Sequence, residues 1–335
     1  MGKDYTYLVR TMCATYNQEN YIKDALNGFI IQETTFPVVY MIVDDASTDR
    51  TPEVIQKFMT ENFDLQDASV AYDKDMDYGH VTFAPHKTNK NCYFAIVYLK
   101  ENHYSQKKSR AQYLKQWMDT KYHAICEGDD YWIDPLKLQK QVDFLESHEE
   151  YDLCCASSRV YAQKSNCFKG TRGSAMCEKY YTIIQGYNDI NTATVLVRTE
   201  VWEKCIKELS VQLPKELLFD TAYWYWFAFH DKTKYMPEQM SVYRVLENSA
   251  SHTSDNENGM KMDLRFLRLK LEFLLRYPLS EGQEAVVDDL IHSIEGLCDY
   301  SRHLGGLNVR KTKTFRIGAK IKRMTMWRRK MMFSD

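Results

Sequence analysis

An open α/β fold, built on a mixed, mainly parallel sheet flanked by helices, is predicted by three observations on this chain. Residues 38–43, Val38-Val39-Tyr40-Met41-Ile42-Val43, are apolar without alternation, as an interior strand covered on both faces must be. Residues 21–32 carry Ile22, Ala25, Leu26, Phe29 and Ile30 at helical spacing. Two acidic clusters, Asp44-Asp45-Ala46-Ser47-Thr48-Asp49 and Glu127-Gly128-Asp129-Asp130, each follow a predicted strand. Open α/β sheets bind ligands outside the carboxyl ends of their strands. Carboxylates converging there repel one another unless a cation or a ligand's donors compensate them.

The elements follow in order. Residues 8–14 form a short apolar run, a first strand, and residues 16–20 the polar turn after it. The helix over 21–32 leads through Pro37 to the strand at 38–43, and Thr51-Pro52-Glu53 opens the next helix with Pro52 at its first position. Strand–helix repeats at this spacing imply a right-handed parallel arrangement. Residues 65–91 turn polar around Gly79 and Pro85 and read as an insertion or long loop. A strand is expected at 93–99, a helix at 109–118 and a strand at 122–126. Asp134-Pro135 starts a helix with Leu136, Leu138, Val142, Phe144 and Leu145. Strands at 153–157, near Val160 and at 192–198, a helix at 200–209 and the aromatic stretch 217–230 complete the body. The expected division is residues 1–250 as one catalytic-type domain, its halves meeting near residue 130, and residues 255–335 as a helical C-terminal extension with a basic tail.

Composition narrows the function classes. The 335 residues hold one large domain or slightly more, and 44 basic against 46 acidic side chains argue against a nucleic-acid binder. The nine cysteines form no CxxC pair and no finger-like spacing, so reduced, buried thiols are expected. The polar start, residues 1–7, lacks the apolar core of a signal peptide, and no apolar run reaches the length of a membrane span. A soluble, cytoplasmic protein is the expectation. A doubly wound dehydrogenase is disfavoured because no Gly-x-Gly-x-x-Gly follows the first strand.

Three motifs in order carry a family resemblance. Residues 13–22 (Cys13-Ala14-Thr15-Tyr16-Asn17-Gln18-Glu19-Asn20-Tyr21-Ile22), residues 42–49 and residues 127–132 (Glu127-Gly128-Asp129-Asp130-Tyr131-Trp132) resemble the family 2 glycosyltransferases of the GT-A fold, above all bacterial enzymes that build surface polysaccharides. Val242-Tyr243-Arg244-Val245 resembles the family's Tyr-Arg element. The resemblance implies a GT-A-type, Rossmann-like sheet and an inverting, metal-dependent transferase. Such an enzyme moves a hexosyl or N-acetylhexosaminyl group from a nucleotide-sugar, a UDP-sugar by the family pattern, to a glycan or lipid-linked saccharide. The alternative is a GT-A-fold nucleotide-sugar or glycan binding protein whose catalytic site has decayed.

The resemblance also assigns roles. Asp45 or Asp44 accepts from the base, while Thr15, Tyr16 and Glu19 frame base and ribose; Ser47 and Asp49 cap the turn. Asn102, Ser105 and Lys108 lie in a loop expected to contact the nucleotide, although Lys107 and Lys108 read equally as a solvated charge pair. Departing diphosphate calls for Mn2+ or Mg2+ as a Lewis acid, and hard cations select carboxylate oxygens. Glu127-Gly128-Asp129 has the D-x-D form with Glu in first place, so Asp129 is the expected metal contact. Glu127 would act directly or through water or ribose, and His252 is a possible third ligand or a solvated loop residue. Asp130 would orient its neighbour or bind sugar. Asp220 occupies the position of the family's base, which takes the acceptor hydroxyl's proton; the other reading is a helix N-cap. Trp132 and Trp224 are candidate sugar platforms, against the reading of such aromatics as core.

The tail has a separate signal. Between Arg310 and Lys330 stand ten Lys or Arg and no acid, with apolar residues along one helical stripe. A basic amphipathic helix fits an anionic membrane surface, which would suit a lipid-linked acceptor on the inner leaflet. The other reading is a helix docked on the domain with its basic face solvated.

Overall fold

A computed structural model describes residues 3–186, 188–247 and 256–304. His252 and the basic tail lie outside the described residues.

The uninterrupted apolar run becomes β2 (Val38–Asp44), buried at every position. It pairs in parallel with β1 (Val9–Thr15) on one side and β5 (Cys92–Leu99) on the other. β6 (Tyr122–Ile125) joins β1 in parallel on the far side. Because the chain runs from β1 toward β2 and β5, then returns to place β6 beyond β1, the strand order reverses at β1. The crevice at a reversal of this kind receives ligands, and both acidic clusters open onto it. Helices α1 (Ile22–Ile30), α2 (Thr51–Asn62) and α3 (Lys137–Ser147) cover one face, where Ile22, Leu26, Phe29, Ile55, Phe58, Leu138 and Val142 join one core cluster.

Residues 65–91 are not a structureless loop. They form a hairpin of β3 (Tyr72–Met76) and β4 (Gly79–Pro85), with β4 antiparallel to β5. The edge strand β3, Tyr-Asp-Lys-Asp-Met, is almost wholly exposed, so it has no buried face to write an alternating pattern. A Cβ on Gly79 would lie 1.8 Å from the carbonyl oxygen of Tyr98, so only glycine permits this approach. The helix expected at 109–118 is instead two short 3-10 turns, at Ala111–Tyr113 and Lys115–Trp117. Their three-residue period sends Leu114 and Trp117 together onto Val39, Met41 and Val43 on the second sheet face.

The second half makes the sheet mixed. β8 (Leu153–Ala162) is one strand rather than two, and β10 (Leu196–Arg198), preceded by a 3-10 turn, sits antiparallel between β6 and β8. β11 (Thr233–Val245) runs parallel to β8 and pairs with the two-residue β7 (Tyr131–Trp132), while β9 (Cys167–Arg172) folds back on β8. Helices α4 (Tyr180–Gln185), α5 (Thr199–Gln212), α6 (Asp220–Phe229), α7 (Asn256–Arg276) and α8 (Gln283–Leu304) share the other large core cluster with these strands. The C-terminal pair α7–α8 is thus packed on the body. Among the described residues, no helix is long and apolar enough to cross a membrane.

Candidate functional site

The chain segments after β1 and β2 are bonded to each other. Asn17, at φ +53°, donates its N–H to Ser47 Oγ at 2.9 Å, and its Oδ1 accepts from the Thr48 N–H at 2.8 Å. The Glu19 N–H reaches Asp49 Oδ2 at 3.0 Å, and Glu19 Oε2 accepts from the N–H of Arg50 at 2.9 Å and from its Nε at 3.1 Å. Ser47 and Asp49 therefore do turn-holding work, and Glu19 does so as well. Thr15 is buried and donates to Gln18 Oε1 at 2.8 Å, while Tyr16 leaves its ring exposed.

Asp44 and Asp45 differ in what holds them. Asp44 ends β2 in register with Thr15, and its carboxylate accepts from the Ser47 N–H at 3.2 Å and from the Ser47 hydroxyl. Burial raises its pKa, the Ser47 bonds working against that. Asp45 is fully buried, and its two oxygens accept from the N–H groups of His103 (2.7 Å) and Tyr104 (2.9 Å). Asn102 Nδ2 donates to the Asp45 carbonyl at 3.0 Å, and Asn102 Oδ1 takes the Ser105 N–H at 2.7 Å. Asn102 and Ser105 thus shape this loop. Lys108 pairs with the exposed Glu101.

Arg110 is the residue that reading by sequence missed. Its Nη1 lies 3.7 Å from Asp45 Oδ2, and its charge also acts on Glu127. One guanidinium therefore serves both acidic clusters. The available signal was the basic cluster Lys107, Lys108 and Arg110, which the helix expected from residue 109 obscured.

The second cluster continues from β6. The N–H of Cys126 bonds to the Met12 carbonyl and that of Gly128 to the Ala14 carbonyl, both at 3.0 Å, which holds the loop beside β1. A Cβ on Gly128 would come 2.3 Å from Gln18 Oε1 and 3.0 Å from Thr15 Cβ. Glu127 reaches solvent in the cleft but is crowded by the cleft floor. That crowding pushes its carboxyl up to about 7; the charges of Asp129 and Asp220 add to the rise and Arg110 opposes it. Burial also raises Asp129, with its own backbone N–H and Arg244 pulling down.

Asp130 is buried and accepts the Arg244 N–H at 2.8 Å. Its pKa is pushed well up, first by burial and then by Asp129. It faces the protein, so of its two expected roles the geometry supports holding the loop, not touching sugar. Trp132 and Trp224 are likewise corrected as sugar platforms. Trp132 is 1% exposed, donates Nε1–H to the Ala193 carbonyl at 2.7 Å and packs edge-on against Phe29. Trp224 is 0% exposed, among the aromatics that α6 buries all round.

Asp220 stands exposed as the first residue of α6. Oδ1 accepts the Thr221 N–H at 2.6 Å and Oδ2 accepts from Thr192 Oγ1 at 3.2 Å, and its charge is felt at Glu127. It accepts one helix N–H, but as the first helical residue; the N-cap is Phe219, so the N-cap reading is corrected, while its charge still reaches Glu127. Among the described residues no group of three or more His, Cys, Asp or Glu side chains converges as a metal cage. Glu127 and Asp129 are the carboxylates the second cluster offers in the cleft, with the Asp129 charge acting on Glu127.

Residues 12–72 match the family model described as glycosyl transferase family 2. The uncharacterized protein Rv1520 of Mycobacterium tuberculosis (strain ATCC 25618 / H37Rv) is 37% identical over 146 residues, and so is the uncharacterized protein Mb1547 of Mycobacterium bovis. The aligned stretch is 44% of this chain and 34% of those relatives' length. Among solved structures, S. aureus TarS (residues 1–349) in complex with UDP-GlcNAc superposes with a TM-score of 0.51 at 17% identity, covering 89% of this chain and 74% of that one. The same protein with UDP gives 0.50 at 17% identity, covering 89% and 73%. At that identity the likeness is one of fold. Motif order, the family match over residues 12–72 and the fold agree: the chain has a GT-A fold, and its N-terminal segment is similar to glycosyl transferase family 2.

Proposed function

We propose that this protein is an inverting, metal-dependent transferase that moves a hexosyl or N-acetylhexosaminyl group from a UDP-sugar to a hydroxyl of a glycan or lipid-linked acceptor in polysaccharide assembly. The observation that carries this is the cleft itself. The charges of Asp129 and Asp220 act on Glu127 there, and Arg110, which also acts on Glu127, lies 3.7 Å from Asp45.

Glu127 and Asp129 are hard oxygen donors, and burial makes the charge of Asp129 costly unless a cation meets it. Two carboxylates suit Mn2+ or Mg2+, which keeps positions for phosphate and water oxygens. Such an ion, when bound, supplies Lewis-acid stabilisation to the leaving diphosphate. Arg110 is positioned to exchange carboxylate for phosphate, as a guanidinium does well. Asp220 takes the acceptor hydroxyl's proton from the opposite face, so displacement needs no covalent enzyme intermediate. Thr192 and the Thr221 N–H keep that carboxylate aimed. Asp45 holds the loop 102–104 through its N–H groups, so a bound base meets the cluster through Asp44, Tyr16 and this loop. Anionic lipid fits the basic stretch between Arg310 and Lys330, which would bring the enzyme to a lipid-linked acceptor.

The test is thermal shift with UDP, GDP, CDP and dTDP, each with Mn2+, with Mg2+ and with EDTA, followed by turnover of UDP-sugars. A ligand at 100 times its Kd raises stability by about 2.7 kcal/mol. The expected result is a shift selective for UDP, dependent on metal and lost in Asp129→Ala, with sugar release lost in Asp220→Asn. Binding without turnover of any UDP-sugar would mark a binding protein instead.

A further inference from the structure

Arg172, like Arg159 on the neighbouring strand β8, touches no carboxylate among the described residues. Arg10, Arg50, Arg110, Arg198, Arg244, Arg268 and Arg276 each reach a carboxylate within 4.0 Å. Arg172, half-buried at the end of β9, forms no ion pair among the described residues. Its Nη2 donates to the Asn188 carbonyl at 3.3 Å, and its guanidinium stands 5.3 Å from the ring centre of Tyr243. A ring face and one carbonyl steady the side chain without neutralising it, and most of its five donors stay open.

Its position relative to Asp220 follows from hydrogen bonds. Asp220 Oδ1 accepts from Thr221 Oγ1 at 3.2 Å, that hydroxyl accepts from Asn188 Nδ2 at 3.3 Å, and Asn188 is the residue Arg172 bonds. The backbone beneath Arg172 is fixed as well. Ser157 Oγ donates to the Arg172 carbonyl at 3.3 Å, and Tyr235 OH to the Gly173 carbonyl at 3.1 Å. Gly173 has φ +119°, and a Cβ there would lie 3.0 Å from Tyr235 and 3.1 Å from the Ala156 carbonyl oxygen. The chain therefore turns here in a way that needs glycine, and it holds a prepositioned cation linked through Asn188 and Thr221 to the residue read as the base.

We propose that Arg172 anchors a negatively charged acceptor, a glycan bearing phosphodiester or carboxylate groups, whose neighbouring hydroxyl is presented to Asp220. The assignment of an acceptor rests on the reading of Asp220 as base; the anion site itself rests on Arg172. A planar guanidinium pairs with either anion through two parallel N–H bonds, so its loss removes recognition that a neutral sugar never used.

The test is calorimetric titration of the full chain, with and without UDP and Mn2+, using three probes: a glycerol-phosphate oligomer, a hexuronic-acid disaccharide and neutral maltose. The wild type should bind one anionic probe and not maltose, and which anion binds identifies the source of the charge. Arg172→Gln should weaken that binding by about 10- to 100-fold, as expected for a hydrogen bond to a charged group, and Arg172→Lys should keep part of it. UDP affinity should be the same in all three proteins, which also checks their folding. Equal binding of maltose, unchanged binding in Arg172→Gln, or no binding of either anion overturns the proposal. If UDP fails to bind the wild type, the nucleotide reading falls while the anion comparison still decides this one.

Discussion

Arg244 and Asp130, 114 residues apart in sequence, meet at 2.8 Å where the Arg244 N–H donates to the Asp130 carboxylate beneath the acidic loop. The same arginine sends Nε to the Asp129 carbonyl at 2.9 Å, Nη1 to Gln163 at 2.7 Å and Nη2 to Asp24 at 2.6 Å, and it lies close to the rings of Tyr21 and Tyr131. It thereby ties β11, α1 and the Glu127–Asp130 loop into one unit. Arg244→Met keeps the backbone bond to Asp130 and loses the rest. It should cost about 1–3 kcal/mol, the range for hydrogen bonds made by a charged group, because the half-exposed Asp24 rehydrates when its partner goes. Denaturant unfolding reads this directly; a loss under about 0.5 kcal/mol, the usual effect of a surface change, would remove the clamp from the account.

Arg110 should set the pH at which the cleft binds its ligand. The folded pKa of Glu127 is raised to about 7 from 4.5, so the native state holds a proton there that the unfolded chain has lost. Stability contributed by that proton falls as pH rises through this window, and cation binding, which needs the carboxylate, strengthens over the same range. Arg110 pulls the pKa down, so Arg110→Met should displace the rise in metal-nucleotide affinity to higher pH. Titrations of UDP with Mn2+ between pH 6 and 8.5 measure it. Coincident profiles for wild type and variant would mean that the two groups do not share charge in solution.

What the sequence revealed and what it hid have physical causes. β2 and α1 were legible because burial on both faces leaves no polar position in a strand, and one-sided burial leaves a 3.6-residue period in a helix. The acidic clusters were legible because they follow those strands. β3 was not, since a strand exposed along nearly its whole length has no pattern to write. Arg110 was hidden because Leu114 and Trp117 follow a 3-10 period that resembles a helix in a short window. The aromatic stretch showed the opposite limit. A helix buried on all sides offers no face by which Trp224 could be told from a sugar-binding tryptophan.

Gly128 makes a close approach that can be tested with a partner mutation. An alanine methyl there would press on Gln18 Oε1 at 2.3 Å, on Thr15 Cβ at 3.0 Å and on Ile22 Cδ1 at 3.1 Å. Gln18 can swing away by giving up its bond from Thr15, but the other two atoms cannot, so Gly128→Ala should cost about 1–3 kcal/mol. Adding Gln18→Ala should recover part of that cost. Equal stability of the single and double variants would show that the Thr15 and Ile22 contacts alone set the cost.

Lys137 carries the clearest pH signature away from the cleft. It is 0% exposed, its ammonium bonds Gln141 Oε1 at 2.7 Å and stands 4.3 Å over Trp132, and no carboxylate forms an ion pair with it among the described residues. Burial lowers its pKa from 10.5 to about 8. Between those values the unfolded chain holds a proton that the native state has released, so the residue's contribution to stability rises with pH across that window. Below pH 8 both states are charged and the cost of the buried cation is constant. Lys137→Met fits the apolar surroundings and removes the titration, and comparing it with the wild type cancels the tyrosines and cysteines that titrate over the same range. The variant should be the more stable at pH 7, and its advantage should shrink by about 2 kcal/mol by pH 10, because a tenfold change in proton affinity is worth about 1.4 kcal/mol. An advantage that stays constant with pH would show that the ammonium keeps its charge in the folded protein, held by Trp132 and Gln141.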